Sequence, residues 1–234
     1  MRIHILRHGD PDYEKDTLTG RGHMQARALG KLLAGYPIHK IYSSPAGRTK
    51  ATAKYTADRL GLVPVILPWL REMNDIVVPG KMREDLAVWH IPARDLLAMA
   101  QGAGAWMEHE LIKNTGIKNR MAEICSGTGA LLDGYGLSEA CGGYTMERDL
   151  SEAGDIAVFC HQGIGLTWMA MLMGICPPDL WRTCYIPPAS ISTLLVEQSE
   201  PGFASFRLLR LGDISHLYGD GVESNMTGLL YNIV

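Results

Sequence analysis

No excess of basic charge marks this sequence. Its 22 Lys and Arg against 25 Asp and Glu leave a formal net charge of −3, so no global field favours nucleic acid or an anionic membrane surface as a partner. Long apolar runs are missing too: nothing approaches the roughly 18 apolar residues of a membrane helix. The N-terminus passes straight into Ile3, Ile5 and Leu6 without the apolar stretch and small-residue cleavage site of a secretory signal. Cysteine is sparse. Cys125, Cys141, Cys160, Cys176 and Cys184 are odd in number, widely spaced and include no CxxC pair, which argues against a disulfide framework or a zinc ribbon. The expectation is a cytoplasmic protein with reduced thiols, its cysteines acting as small core residues. Internal repeats and low-complexity tracts are absent. The glycine-rich Gly127–Gly143 stretch lacks GxxxxGKS/T and follows no clear strand, so a nucleotide P-loop is excluded there and a mobile loop is expected.

What is present is an ordinary globular composition, 47% hydrophobic and 20% charged over 234 residues, enough for one large domain. Residues 2–6 read as a short strand. A helix is expected from Thr19, a fitting N-cap, to Leu33, with Met24, Ala28 and Leu32 on one face. Ile38–Tyr42 alternates as a strand and stops at Ser43-Ser44-Pro45. A second helix follows with Ala46, Ala53, Ala57 and Leu60 on one face and Gly61 closing it. Val63–Leu67 is strand-like, and its proline places it at a strand start or a sheet edge. Residues from about 76 to 153 break the rhythm, with helices expected over Asp85–Met99 and Ala105–Lys113. The alternation resumes with the apolar run Ile156–Cys160, then His161-Gln162-Gly163 and an apolar helix ending near Gly174. Ile191–Val196 and Phe203–Leu211 are the last strand candidates.

Strands alternating with helices imply βαβ units: an α/β fold, a three-layer sandwich around a mostly parallel sheet. The runs Ile3–Leu6 and Ile156–Cys160 are apolar without alternation, as central strands covered on both faces should be. Ligands of such sheets bind beyond the carboxyl ends of the strands, and three of the expected ends carry Arg7-His8, Ser43-Ser44 with Arg48 a turn beyond, and His161. If these converge, two guanidiniums and two imidazoles form a positive pocket. Guanidinium forks match the oxygens of a phosphoryl group, and a helix N-terminus after Pro45 adds N–H donors. A neutral histidine there is a competent nucleophile toward phosphorus. A second, protonated histidine would stabilise charge on the transferring group. The arginines supply the positive charge, so no metal and no cofactor are expected.

Arg7-His8-Gly9 after a first strand, Ser43-Ser44-Pro45-x-x-Arg48-x-x-x-Thr52-Ala53 after a second, and a histidine two residues before a glycine after a later strand together resemble the histidine phosphatase superfamily, the phosphoglycerate mutase-like group. The resemblance extends from residue 3 to Ser215-His216-Leu217. It implies that His8 is phosphorylated, with Arg7, Arg48 and His161 binding the phosphoryl group. It also implies a proton donor after the third strand, for which Trp69-Leu70-Arg71-Glu72 offers Glu72; Asp75, Glu84 and Asp10 are the other candidates. Asp10-Pro11-Asp12-Tyr13 departs from the mutases, which carry an asparagine there, and this favours a phosphatase over a mutase. Gln162 stands where a small residue is common and is expected to reach the phosphate pocket. The expected function is metal-independent hydrolysis of a small phosphomonoester by a single domain (1–234), its substrate chosen by a helical cap inserted at about 76–153. A mutase-type phosphotransferase and a silent phospho-ligand binder are the alternatives. His216 reads as structural, and His90 or His109 in the cap could touch substrate.

Overall fold

Past Arg2, strand β1 (Arg2–Arg7) is buried throughout, because both its faces are covered. Ile3 and Ile5 pack into one apolar cluster and Leu6 into the other, which is why the run shows no alternation. In the computed structural model, which describes residues 1–80, 85–100, 105–140, 143–147, 150 and 153–230, β1 lies inside a sheet with β2 (Ile38–Ser43), β3 (Val65–Ile66), β4 (Leu137–Ala140), β5 (Gly143–Met146), β6 (Asp155–Cys160), β7 (Ile191–Glu200) and β8 (Phe203–Asp213). The spatial order is β3-β2-β6-β1-β7-β8-β5-β4. β3, β2, β6 and β1 run parallel. β7 joins β1 antiparallel, and β8, β5 and β4 continue that side as antiparallel hairpins.

Helices cover both faces. α1 (Gly20–Leu33) and α2 (Gly47–Leu60) bring Leu29, Leu33, Ala53 and Ala57 onto Leu6, Ile41 and Phe159. On the other face α3 (Ala93–Ala100), α4 (Ile117–Asp133), α5 (Gln162–Leu172) and α6 (Pro177–Thr183) pack with Ile3, Ile5 and Val158; a short α7 (Ser215–Gly219) follows β8. α5 is apolar all round and buried almost all round, as a helix in that position must be. No helix among the described residues is long and apolar enough to cross a membrane.

α1 begins where expected, Thr19 Oγ1 accepting from Gly22 N at 3.0 Å, but it is rotated from the face read off its apolar residues. Met24 is exposed, while Ala28 is buried as expected and Leu32 is half-buried against the core; Gly22, Gln25, Ala26, Leu29 and Leu33 complete the buried face. The hidden polar member explains the shift: Gln25 accepts from Asp10 N at 2.8 Å and donates to Glu223 O at 3.0 Å. Only Val65 and Ile66 of the Val63–Leu67 run pair, at the sheet edge.

The middle of the chain differs most from expectation. Over 85–99 a short strand (Asp85–Ala87) and a 3-10 turn (Val88–His90) precede α3, which starts only at Ala93; Pro92 holds Ile91 out of the helical region. Ala105–Lys113 holds a 3-10 turn, Trp106–Glu108, and turns, not a helix. The long helix here is α4, and it runs through Gly127 and Gly129, where a mobile loop was expected. Gly127 answers to packing: a Cβ there would lie 2.3 Å from the Trp69 ring. Of the cysteines only Cys160 belongs to the core. Cys125 is exposed, Cys176 and Cys184 are half-buried, and Cys141 lies outside the described residues.

Candidate active site

The strand register assembles the site. Arg7 pairs with Cys160, and Phe159 with Ser43, so Arg7-His8, His161 and Ser44 leave three neighbouring parallel strands at one carboxyl edge, about 4.8 Å apart per strand. His8 N donates to Cys160 O at 3.1 Å and Ser44 N to Phe159 O at 2.9 Å, extending the ladder one residue beyond the strands. The two histidine rings meet edge-on with centroids 5.2 Å apart. Both are almost fully buried, at 2% and 1% exposure.

Hydrogen bonds assign both tautomers. His8 Nδ1 lies 2.8 Å from the Gly9 carbonyl oxygen, which can only accept, so Nδ1 carries the proton and Nε2 keeps its lone pair. Arg48 Nη2 donates to His161 Nδ1 at 3.0 Å; His161 Nε2 therefore carries the proton and donates to Ser44 Oγ at 2.8 Å. Burial, then the neighbouring Arg7 charge, push the His8 pKa well below 6.5, against a raising contribution from the Gly9 carbonyl. Burial, His8 and Arg48 do the same for His161. The resting imidazoles are thus neutral, and the positive pocket expected of two guanidiniums and two imidazoles reduces to the guanidiniums.

Those guanidiniums are held from behind. Arg7 donates to Ile186 O at 2.8 Å and Thr227 O at 2.7 Å and lies over the Tyr185 ring. Arg48 pairs with Asp16 at 2.7 Å, and Asp16 Oδ2 also takes Gly47 N at 2.6 Å. Burial would raise the Asp16 pKa, but the Gly47 N–H and Arg48 outweigh it and leave it lowered. Asp16 adopts φ 46°, a left-handed conformation that aspartate tolerates better than most residues. The Nε atoms of Arg7 and Arg48 are buried without a protein partner, which leaves a donor on each for an anion.

Glu72 occupies the N-terminus of α5. Its carboxylate accepts from Gly163 N (3.0 Å), Ile164 N (2.9 Å) and Met73 N (3.0 Å). Gly163 is required for this seat, since a Cβ would lie 2.8 Å from Glu72 Oε1 and 2.5 Å from Trp89.

Arg7, His8, Arg48, Glu72 and Gln162 all line one cleft of about 580 Å³, together with Tyr13, Asp16, Asn74, Trp89, His90 and Gly228. His161 sits beside it, behind Arg48 and His8. Of the other acid candidates, Asp75 pairs with Arg71 at 2.9 Å and is not among the lining residues, and Glu84 lies outside the described residues. Asp10 is spent on a latch: it accepts from Thr19 Oγ1 at 2.8 Å, Thr227 Oγ1 at 2.9 Å and Asn225 Nδ2. The latch draws residues 225–228 across the cleft, where Gly228 (φ 93°) passes so close that a Cβ would lie 2.8 Å from Arg7 Nη2. Of the cap histidines His90 lines the cleft; His109 does not, and accepts from Leu111 N at 3.3 Å. His216 is buried on α7, away from the lining. Sequence reasoning missed Asp16, Trp89, Tyr185 and the 225–228 segment. Only Asp16 stood near a motif; the others carry no local pattern.

Comparison with known proteins agrees with this geometry. The family model for the histidine phosphatase superfamily (branch 1) matches residues 3–95, which include Arg7, His8, Arg48 and Glu72. A probable phosphoglycerate mutase of Yersinia enterocolitica is 28% identical over 155 residues, 60% of this chain and 72% of that one. Among solved structures, the alpha-ribazole phosphatase from Shigella flexneri superposes with a TM-score of 0.58 at 23% identity, covering 92% of this chain and 97% of that one. A mycobacterial glucosyl-3-phosphoglycerate phosphatase gives 0.59 at 21%, covering 90% and 98%. At those identities the structural likeness speaks to the fold.

Proposed function

The chain belongs to the histidine phosphatase superfamily, and from that premise we propose that it hydrolyses small phosphomonoesters through a phosphohistidine on His8. The observation that carries this reading is the His8 tautomer: Nδ1–H is spent on Gly9 O, and Nε2 is left as a free lone pair on a residue lining a cleft with two arginines. In the first step Nε2 attacks phosphorus and the P–O bond to the leaving alcohol breaks. The alkoxide takes a proton from Glu72, whose carboxylate has picked it up from the monoanionic phosphate ester as the substrate binds. The ring, now N-phosphorylated and cationic, keeps its Nδ1–H on Gly9 O. In the second step Glu72 takes a proton from water, the oxygen attacks phosphorus, and the N–P bond breaks to release inorganic phosphate and neutral His8.

Arg7 and Arg48 place guanidinium donors on the phosphoryl oxygens as charge shifts. A dianion that draws Arg48 from His161 Nδ1 also favours protonation of that ring, which would then donate to the same group. Gln162 lines the same cleft and contributes its amide. Of the stretch expected to form the cap, Trp89 and His90 reach the cleft, while Leu137–Ala140 and Gly143–Met146 belong to the central sheet. Hydrolysis is favoured over mutase chemistry by the cleft's charges. Arg7 and Arg48 are the only Arg or Lys among its described lining residues, so a substrate carboxylate would find no further cation among them.

The test is rapid-quench labelling with a radioactive aryl phosphate in chelator. An acid-labile, base-stable phosphoenzyme and stoichiometric inorganic phosphate are expected, both lost in His8→Ala. Turnover without a phosphoenzyme, or surviving in His8→Ala, would refute the mechanism.

A further inference from the structure

A second cavity, about 320 Å³, opens beside the phosphate cleft and shares Trp89, His90 and Gln162 with it. Its apolar surface comes from Trp89, Ile91, Trp181, Leu229 and Leu230. Two of these walls are rigid. Trp181 is 6% exposed, donates from Nε1 to Thr167 Oγ1 at 3.0 Å, and meets Trp106 edge-on at 5.4 Å. Trp89 is 8% exposed and packs against the space a Gly163 Cβ would fill. Leu229 and Leu230 arrive with the segment that Asp10 latches.

The cavity offers little to a second charge. Among the described residues Arg182 is the only Asp, Glu, Lys or Arg lining it, and its guanidinium is engaged twice by Asp179, at 3.1 and 2.7 Å. A carboxylate entering here would lose its water without gaining a free cation, which is strongly unfavourable. One polar atom stands at the junction of the two cavities: Gln162 Oε1, on a residue 7% exposed, is buried with no partner. It accepts only, so it selects an O–H or N–H on the incoming molecule. At the liquid-water share of about 30 Å³ per heavy atom, the volume suits roughly ten such atoms.

We infer that this cavity is the leaving-group site, and that the substrate is a phosphomonoester of an uncharged, ring-bearing alcohol, on which a hydrogen-bond donor near the ester oxygen would add to binding through Gln162 Oε1. This rests on the phosphatase reading above and narrows it to a substrate class.

The test compares 1-naphthylmethyl phosphate with glycerol phosphate and 3-phosphoglycerate, all esters of aliphatic alcohols, so that leaving-group acidity does not decide the outcome. Wild-type kcat/KM should be at least tenfold higher for the naphthylmethyl ester, with the difference in KM. Thr183→Lys, at an exposed lining position, should narrow the gap to 3-phosphoglycerate severalfold by placing a cation in the cavity. Equal kcat/KM for all three, abolished by His8→Ala, would overturn the leaving-group site and leave the phosphatase reading standing. If the wild type turns over none of them, the phosphatase reading fails and calorimetric binding to His8→Ala decides the cavity. Tenfold tighter binding of the naphthylmethyl ester upholds it, and equal binding overturns it.

Discussion

Glu72→Gln separates the two jobs that the proposed mechanism gives one carboxylate. Structurally, Glu72 presents one oxygen to Gly163 N–H and the other to Ile164 N–H, at 3.0 and 2.9 Å. An amide has a single acceptor; its NH2 would face the second N–H, donor against donor. Leaving that buried N–H unpaired costs about 1–3 kcal/mol. Removing a negative charge from a helix N-terminus adds about 0.3–1 kcal/mol, up to about 2 where partly buried. The sum is about 1.3–5 kcal/mol, or a fall in Tm of roughly 3–20 °C for a domain of this size. Catalytically, the same change removes the proton-transfer group. Rates on an alkyl phosphate should drop by ~10²–10⁴, whereas p-nitrophenyl phosphate, whose leaving group needs no proton, should lose about tenfold or less in the phosphorylation step. Thermal melts and burst kinetics on the two esters measure both effects. An unchanged Tm would refute the carboxylate's role as the α5 cap, and equal rate losses on both esters would move proton transfer to another residue.

The buried histidines set the acid side of stability. His4, His8, His161 and His216 all have pKa values lowered, chiefly by burial, so below about pH 6.5 the unfolded chain takes up protons that the folded one refuses. Unfolding free energy should therefore fall as pH drops from 7 toward 5, and stay flat with respect to these groups above 7; urea midpoints across that range check the sign, and a midpoint that rises toward pH 5 contradicts it. Asp10→Ala removes the acceptor shared by Thr19, Thr227 and Asn225, a loss of about 1–3 kcal/mol in local stability. Amide hydrogen exchange over residues 225–229 should speed up by about tenfold or more while α1 and α2 keep their protection; unaltered exchange would show that Asp10 does not hold the segment.

The parts legible in the sequence are those whose signal is local. A doubly buried strand shows itself by apolar residues without alternation, and Thr19 and Gly61 mark helix ends by their own chemistry. The register Arg7–Cys160 and Phe159–Ser43 follows once these strands are central and parallel, so the convergence of Arg7, His8, Arg48 and His161 was within reach. Glycine misled over Ser126–Gly143, because its two meanings, freedom and closeness, look alike in sequence; Gly127 is there for Trp69. The rotation of α1 was hidden by Gln25, a polar residue buried for hydrogen bonds made to residues 223 and 225. The protonation of the site was equally out of reach, since it depends on which atom faces Gly9 O and which faces Arg48.

The latch has a consequence for how the molecule is made. Arg7 and its Thr227 carbonyl partner are 220 residues apart, so at roughly 5–20 residues per second Arg7 and His8 are synthesised on the order of ten seconds or more before the segment that closes over them. Every strand of the sheet has been made by Asp213, so the strands all precede the counterparts of Asp10 and Arg7 and the wall of Leu229 and Leu230. The closed pocket is thus completed only after the sheet that carries it, and a chain cut short before residue 225 would keep the strands of the sheet without the enclosure.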